Sequence, residues 1–365
     1  MTGERSALVP APGRARAVAL RLLVFVACVA ALAWTVHSLG PRHIFRLALD
    51  ANPVWLLLSL GAVAARYLIW ASKWRRMMRR TGPVGFGTTL GAILSGTLVN
   101  LVTPSAKLAG GVTRALLVRR RTGWRMALAY GWSLADQVTN VAGNLVLGGL
   151  LASATAAMMP PSALRRALLG GGVAAVAIVA LAVGLRGWAW NQVRRPAVAR
   201  IAGRWTPARF RQNHPGSPAA AWLEPMLSPL LQLGSTWKGI GADVVLGAAS
   251  WLSLCAANAM VFRALGVEAS LFGIATALVL GVFAGTLTGT VGGIGATEIV
   301  LIGLYTRLGV PAEAAAAATL LHRGTYYGLS LLAGSLALLA GSRGPGVQLS
   351  KRDEDPPRAV VPTPP

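Results

Sequence analysis

The sequence predicts an all-α fold: a polytopic transmembrane helical bundle of about six full spans plus two oppositely oriented re-entrant helical hairpins. Three observations carry that expectation. First, 54% of the 365 residues are hydrophobic and only 13% are charged, against about 25% charged in a soluble domain. Second, the apolar residues gather into stretches of about 20, the length that crosses a hydrocarbon core of about 30 Å. Third, two of these regions are interrupted by proline or glycine where a span should run on. Backbone breaks of that kind survive at membrane depth only where protein or a watery cavity solvates them.

Residues 1–17 form a basic N-terminus carrying Arg14 and Arg16. The first apolar stretch, 18–39, contains Phe25-Val26-Ala27-Cys28, a faint likeness to a lipoprotein cleavage box. Apolar sequence continues past it to Val36, which favours a retained signal anchor over a cleaved signal peptide. The second span is expected at 53–72. Stretches 85–103 and 105–118 flank Thr103-Pro104-Ser105, and the latter is short and carries Lys107 and Arg114. It is a poor independent span, so 85–119 reads as a hairpin entering from the cytoplasm with its tip near Pro104. Full spans follow at 126–151 and 167–189.

Between 190 and 240 the composition turns to Arg, Pro, Trp and small polar residues, a large cytoplasmic loop with an interfacial helix around Trp222 to Leu233. A span at 242–264 precedes a second broken region, 271–308, interrupted at Gly292-Gly293-Ile294-Gly295. Counting crossings puts residues 268 and 310 outside, so this hairpin enters from the opposite face. The last span is 312–340, and 341–365 is a Pro-rich, disordered cytoplasmic tail.

The net charge of +24 follows the same topology. Lys73, Arg75, Arg76, Arg79 and Arg80 form one block, and Arg119, Arg120, Arg121 and Arg125 another. The positive-inside rule places both in the cytoplasm with the two termini, for a multi-pass protein of the inner (plasma) membrane. The clusters are not interleaved with aromatics on one face, so they read as contacts to anionic lipid headgroups and not to nucleic acid. Cys28 and Cys255 both lie in apolar stretches, which excludes a disulfide framework or zinc spacing. No metal or cofactor is expected. HExxH, GxSxG and Walker A patterns are missing, so no residue is assigned a catalytic role.

Two broken elements in corresponding positions of two halves point to a transport site at the bilayer midplane. In the first, a helix starting near Ser105 would aim free N–H groups at an anion. Pro104 supplies no N–H, and Gly110 and Gly111 allow close backbone approach. Lys107 and Arg114 are seven apart, about two turns, and share a face suited to a phosphate headgroup. The plainer alternative is a Pro/Gly helix end with both cations snorkelling. In the second, Gly292, Gly293 and Gly295 form the tip, with Glu298 on the first turn of the returning helix as a cap or as an acid at depth.

Asp136 is the only acid in its span, with Gln137, Asn140 and Asn144 beside it. It is expected to pair with Lys107, Arg114 or Arg323. Arg323, after His322 and before Tyr326 and Tyr327, is a partner for Glu298 or for a phosphate. Arg66 and Trp70 rank lower, Arg66 as a snorkelling side chain. Trp74, Trp124, Trp132, Trp188, Trp190 and Trp205 read as an interfacial belt.

Taken in order, these motifs resemble the lysylphosphatidylglycerol synthase (MprF-type) flippase-like transmembrane family over about residues 18–340. The likeness rests on the Asn100 to Arg114 segment, Asp136 in the span after the arginines, and Gly292-Gly293-Ile294-Gly295 with Glu298. Leu308-Gly309-Val310-Pro311 and Leu321-His322-Arg323 complete it. Val291 and Thr297 stand where the family usually has proline and often arginine. The resemblance implies movement of a phospholipid or lipid-linked headgroup between leaflets. MprF-type proteins carry an aminoacyl-transferase domain after the membrane part. Only roughly 25 residues follow the last span here, too few for a domain, so the chain is not expected to be an enzyme that aminoacylates lipid. Two alternatives stay open. One is a membrane-embedded enzyme of lipid or lipid-linked sugar biosynthesis, with Asp136 and His322 as its acid–base pair. The other is an accessory subunit of a biosynthetic enzyme or a homo-oligomer.

Overall fold

Asn52 shows how the sequence starts a membrane helix. Its side chain accepts a hydrogen bond from the Val54 N–H at 2.9 Å, and Pro53 fills the first helical position, where no donor is needed. In the computed structural model, which describes residues 12–103, 108–185, 225–230, 232–233, 237–288 and 290–342, every regular element is helical. In chain order these are α1 (Pro12–Ser38), α2 (Pro41–Leu49), α3 (Pro53–Met78), α4 (Phe86–Val102), α5 (Leu108–Thr122) and α6 (Met126–Ala157). Then come α7 (Ala163–Gly184), α8 (Trp237–Ala264), α9 (Leu271–Leu287), a 3-10 turn (Val291–Gly293), α10 (Ala296–Arg307) and α11 (Ala312–Ser342). Most of the expected cytoplasmic loop, and the tail from 343, lie outside the described residues. The expected interfacial helix keeps 225–230 and 232–233 as helix.

Five described helices are long and apolar enough to cross a membrane: Pro53–Met78, Met126–Ala157, Ala163–Ala182, Gly239–Ala264 and Ala312–Gly341. A sixth crossing is made if Leu23–Ser38 and Pro41–Leu49, bent by 84°, count as one span. The bend itself was not expected from the sequence. Gly40 supplies its left-handed turn (φ 80°), and α2 then buries Ile44 while exposing Arg42, His43 and Arg46, the pattern of a helix lying in an interface.

The two broken regions form hairpins of short legs. At 1.5 Å per residue, α4 and α9 reach about 25 Å and α10 only about 18 Å, short of a hydrocarbon core. The turns at their open ends lie at opposite ends of the bundle. At one end, Trp132 Nε1 donates to Thr81 Oγ1 at 2.9 Å and Arg80 to Asp243 of α8 at 3.0 Å. At the other, the Asn52 N–H donates to the Ala264 carbonyl at 2.8 Å. There a cavity of about 230 Å³ is lined by Met158, Met159, Ser270, Leu308 and Val310.

Serine hydroxyls tie α3 to α8, Ser59 Oγ donating to the Ala257 carbonyl at 2.9 Å and Ser253 Oγ to the Ala62 carbonyl at 2.8 Å. The run Ala314 to Ala318 buries the start of α11, small side chains letting helices approach closely. Two expectations are corrected in this core. Trp74 and Trp132 are fully buried within the protein, not exposed in a belt, because each indole N–H finds a protein acceptor: Trp74 Nε1 donates to the Trp132 carbonyl at 3.0 Å and Trp132 Nε1 to Thr81 at the bundle's end. Gly110 and Gly111 sit in the first turn of α5, not at a tip. A Cβ on Gly110 would lie 2.2 Å from the Gly96 carbonyl oxygen, so this glycine closes the seam between α4 and α5.

Candidate functional site

Residues i, i+4 and i+7 share one helix face, and on α3 those positions are Arg66, Trp70 and Lys73. That face is turned inward toward α6, and it meets Asp136. Lys73 Nζ lies 3.0 Å from Asp136 Oδ1, and Arg114 Nη1 of α5 lies 2.8 Å from Oδ2. Trp70 Nε1 donates to the same Oδ2 at 2.8 Å. Lys73 is further held by the Asp136 carbonyl at 3.3 Å and Thr139 Oγ1 at 3.0 Å. Asp136 and Lys73 are completely buried and Arg114 nearly so. One carboxylate therefore draws three helices together and balances one of its two cations.

The second cluster belongs to the other hairpin. Its tip turns on Gly292, Gly293 and Gly295, with φ of 59°, 74° and 86°, a left-handed region that glycine enters without steric cost. Gly295 precedes α10, and its N–H donates to Glu298 Oε2 at 2.6 Å. This is half of a capping box, since glycine has no side chain to reciprocate. The other carboxylate oxygen, Oε1, is bound by Arg323 Nε of α11. Arg323 Nη2 donates to the Gly292 carbonyl at 3.0 Å and also reaches the Tyr327 hydroxyl. Tyr327 in turn donates to that carbonyl at 2.7 Å.

The hairpins meet near their inner ends. A Cβ on Gly292 would lie 3.4 Å from Leu101 Cδ2 and 3.5 Å from the Leu101 carbonyl oxygen, at the end of α4. On the membrane-span side, a Cβ on Gly295 would strike Cys28 of α1 at 2.5 Å.

Between the clusters lies Arg66, 7% exposed. It does not snorkel, since the rings of Trp251, Tyr326, Trp70 and Tyr67 surround its guanidinium at 5.2, 5.3, 5.5 and 5.7 Å. The Trp70 ring is shared with Arg114, at 5.3 Å. Among the described residues, the buried interior thus carries Arg66, Lys73, Arg114 and Arg323 against Asp136 and Glu298. The third buried carboxylate, Asp243, is taken at the bundle's end by Arg80 at 3.0 Å and Arg76 at 3.6 Å.

Of the residues singled out in the sequence, Arg114 and Asp136 come together, as do Glu298, Arg323, Gly292 and Gly295. Gly293 completes that tip. Arg323 is not the partner of Asp136, and Lys107 and Pro104 lie outside the described residues. Sequence reasoning missed Lys73, filed with the cytoplasmic block, and undervalued Arg66. The signal was present: both share a face with Trp70, and a helix begun at Pro53 carries that face inside the bundle for 26 residues. No group of three or more His, Cys, Asp or Glu that would hold a metal occurs among the described residues.

Comparison with known proteins gives a consistent frame. The family described as Lysylphosphatidylglycerol synthase TM region matches residues 18–334. A UPF0104 membrane protein of Methanothermobacter thermautotrophicus is 24% identical over 312 residues, covering 82% of this chain and 89% of that protein. A second alignment, to a UPF0104 membrane protein of the same organism, is 33% identical over 89 residues, 24% of this chain and 27% of that one.

Proposed function

This chain belongs to the lysylphosphatidylglycerol synthase TM region family of multi-pass membrane proteins, and from that premise we propose that it is a lipid translocase. It moves a phospholipid or lipid-linked headgroup between leaflets of the plasma membrane and is not itself an enzyme. The observation that carries this reading is the charge balance where the hairpins meet: among the described residues, four buried cations face two carboxylates. Ionisable groups inside a membrane are costly and mark substrate pathways by default, and a surplus of guanidinium and ammonium favours an anionic headgroup, with arginine suited to phosphate. The oppositely inserted hairpins give each leaflet its own gate. The arginines at 75, 76, 79 and 80 and at 119–121 set the orientation, with their end of the bundle and both termini in the cytoplasm.

The test is a leaflet assay in vesicles containing the purified protein and a fluorescent anionic phospholipid. Protein-dependent exchange of label between leaflets is expected, with no new lipid species in the extract. Exchange no faster than in protein-free vesicles, for anionic and zwitterionic lipids alike, overturns the reading. A chemically changed lipid would assign the chain to the enzymes instead.

A further inference from the structure

Arg66 differs from the other buried cations among the described residues. Lys73 and Arg114 share Asp136, and Arg323 holds Glu298. Arg66 has no carboxylate within ion-pair distance among the described residues, and its Nε and Nη1 are buried without a hydrogen-bond partner. It is held by four aromatic faces instead, with the Tyr326 hydroxyl also turned toward it. A desolvated guanidinium with two unused donors is expensive to maintain. Ring faces attract a cation without neutralising it, so the charge and the donors stay available. His322, fully enclosed beside Arg66 and Arg323, also has an unpartnered nitrogen, Nδ1.

We propose that Arg66, in its box of Tyr67, Trp70, Trp251 and Tyr326, is the binding residue for a phosphate-bearing anion, taken up between the two ion-paired clusters. The inference rests on the translocase reading and deepens it: the ligand is the phosphate of a lipid headgroup. Arginine suits the role because its planar fork gives two parallel hydrogen bonds to a phosphate. The rings orient the fork, and Trp70, which also donates to Asp136, places it next to the first hairpin's cluster. Arg114 and Arg323, each in contact with a carboxylate of the bundle, then act as positioning residues for the hairpins.

Both tryptophans of the box report on it. Purified protein in detergent is titrated with dioctanoyl phosphatidic acid, with dioctanoylglycerol and with inorganic phosphate, while tryptophan fluorescence and native mass spectra are recorded. The phosphatidic acid is expected to bind and change the fluorescence, and the uncharged lipid is not. Arg66→Gln should weaken binding by about tenfold or more, the loss of one charge-assisted bidentate contact. Arg66→Lys should weaken it by less, since it keeps the charge and loses the fork. Binding of inorganic phosphate that also depends on Arg66 supports the site and assigns it to a free anion.

Unchanged affinity in a folded Arg66→Gln protein overturns the proposal. If that variant aggregates, unchanged affinity in Arg66→Lys overturns it. Equal binding of both lipids by the natural protein overturns it too. The leaflet assay on the same preparations separates the two failures. Exchange with Arg66-independent binding sinks the site alone, whereas Arg66-dependent binding without exchange sinks the translocase reading.

Discussion

Each hairpin is anchored by one buried carboxylate, yet the two carboxylates do different work. Asp136 joins α3, α5 and α6, drawing a cation from each of two other helices and an indole N–H besides. Glu298 spends one oxygen on the backbone of its own tip and the other on Arg323, which itself reaches back to that tip through the Gly292 carbonyl. The first cluster is a fastener between helices. The second is a latch on a loop, and what it holds is local.

The comparison breaks most decisively at Asp136. Asp136→Asn leaves Lys73 and Arg114 buried without a counter-charge, and breaking a buried pair in this way costs about 3–5 kcal/mol. The expected result is global, a large fall in the thermal or urea midpoint of the purified protein. A midpoint equal to the natural protein's would remove the distinction between fastener and latch. Glu298→Gln is expected to cost less, about 1–3 kcal/mol, because its amide oxygen still accepts from Gly295 and Arg323 keeps the Gly292 carbonyl. Its signature is faster hydrogen exchange over residues 291–296 with α6 unchanged.

The seam of the first hairpin offers a sharper contrast within one pair of helices. Gly110→Ala drives a methyl into the Gly96 carbonyl and is expected to cost about 1–3 kcal/mol, the usual range for overpacking. Gly91→Ala, with nothing within 4 Å of its added carbon, is expected to raise stability by up to about 1 kcal/mol. The pair is read by the same unfolding midpoint, and a loss at both positions would mean that the Gly91 face of α4 is packed as well. The smallest effect is expected at Arg76→Gln. That side chain is 41% exposed and lies 3.6 Å from Asp243, while Arg80 remains at 3.0 Å. A change below about 1 kcal/mol is expected, as for other exposed ion pairs.

Much of this architecture was legible in the sequence because membranes constrain it so tightly. Runs of about 20 apolar residues, the break at 292–295 and the basic turns sufficed for the spans and for the opposed hairpins. The cost of an unpaired charge at depth put Arg114 among three candidate partners for Asp136, and Glu298 beside a phosphate as the partner for Arg323; the structure chose between them. Lys73 and Arg66 were misread for a shared reason. Hydropathy locates where a helix crosses but not which face it turns inward, and a cation near a predicted boundary looks the same whether it snorkels or is enclosed. The bend at Gly40 escaped because α2 is too polar on one side to register as apolar and too short to stand out as a separate helix. The tryptophans at 74 and 132 were misplaced because their acceptors, a backbone carbonyl and a threonine, leave no trace in composition.

The abutment of Gly292 on Leu101 bears on something other than lipids. A membrane that stores energy as an ion gradient is short-circuited by any water-filled path through it. Under the translocase reading, two plugs entering from opposite sides and touching at their inner ends would behave as an airlock: one withdraws while the other still stops the passage. On that reading the Tyr327 hydroxyl on the Gly292 carbonyl would hold one of the two doors, and removing it should register first as current.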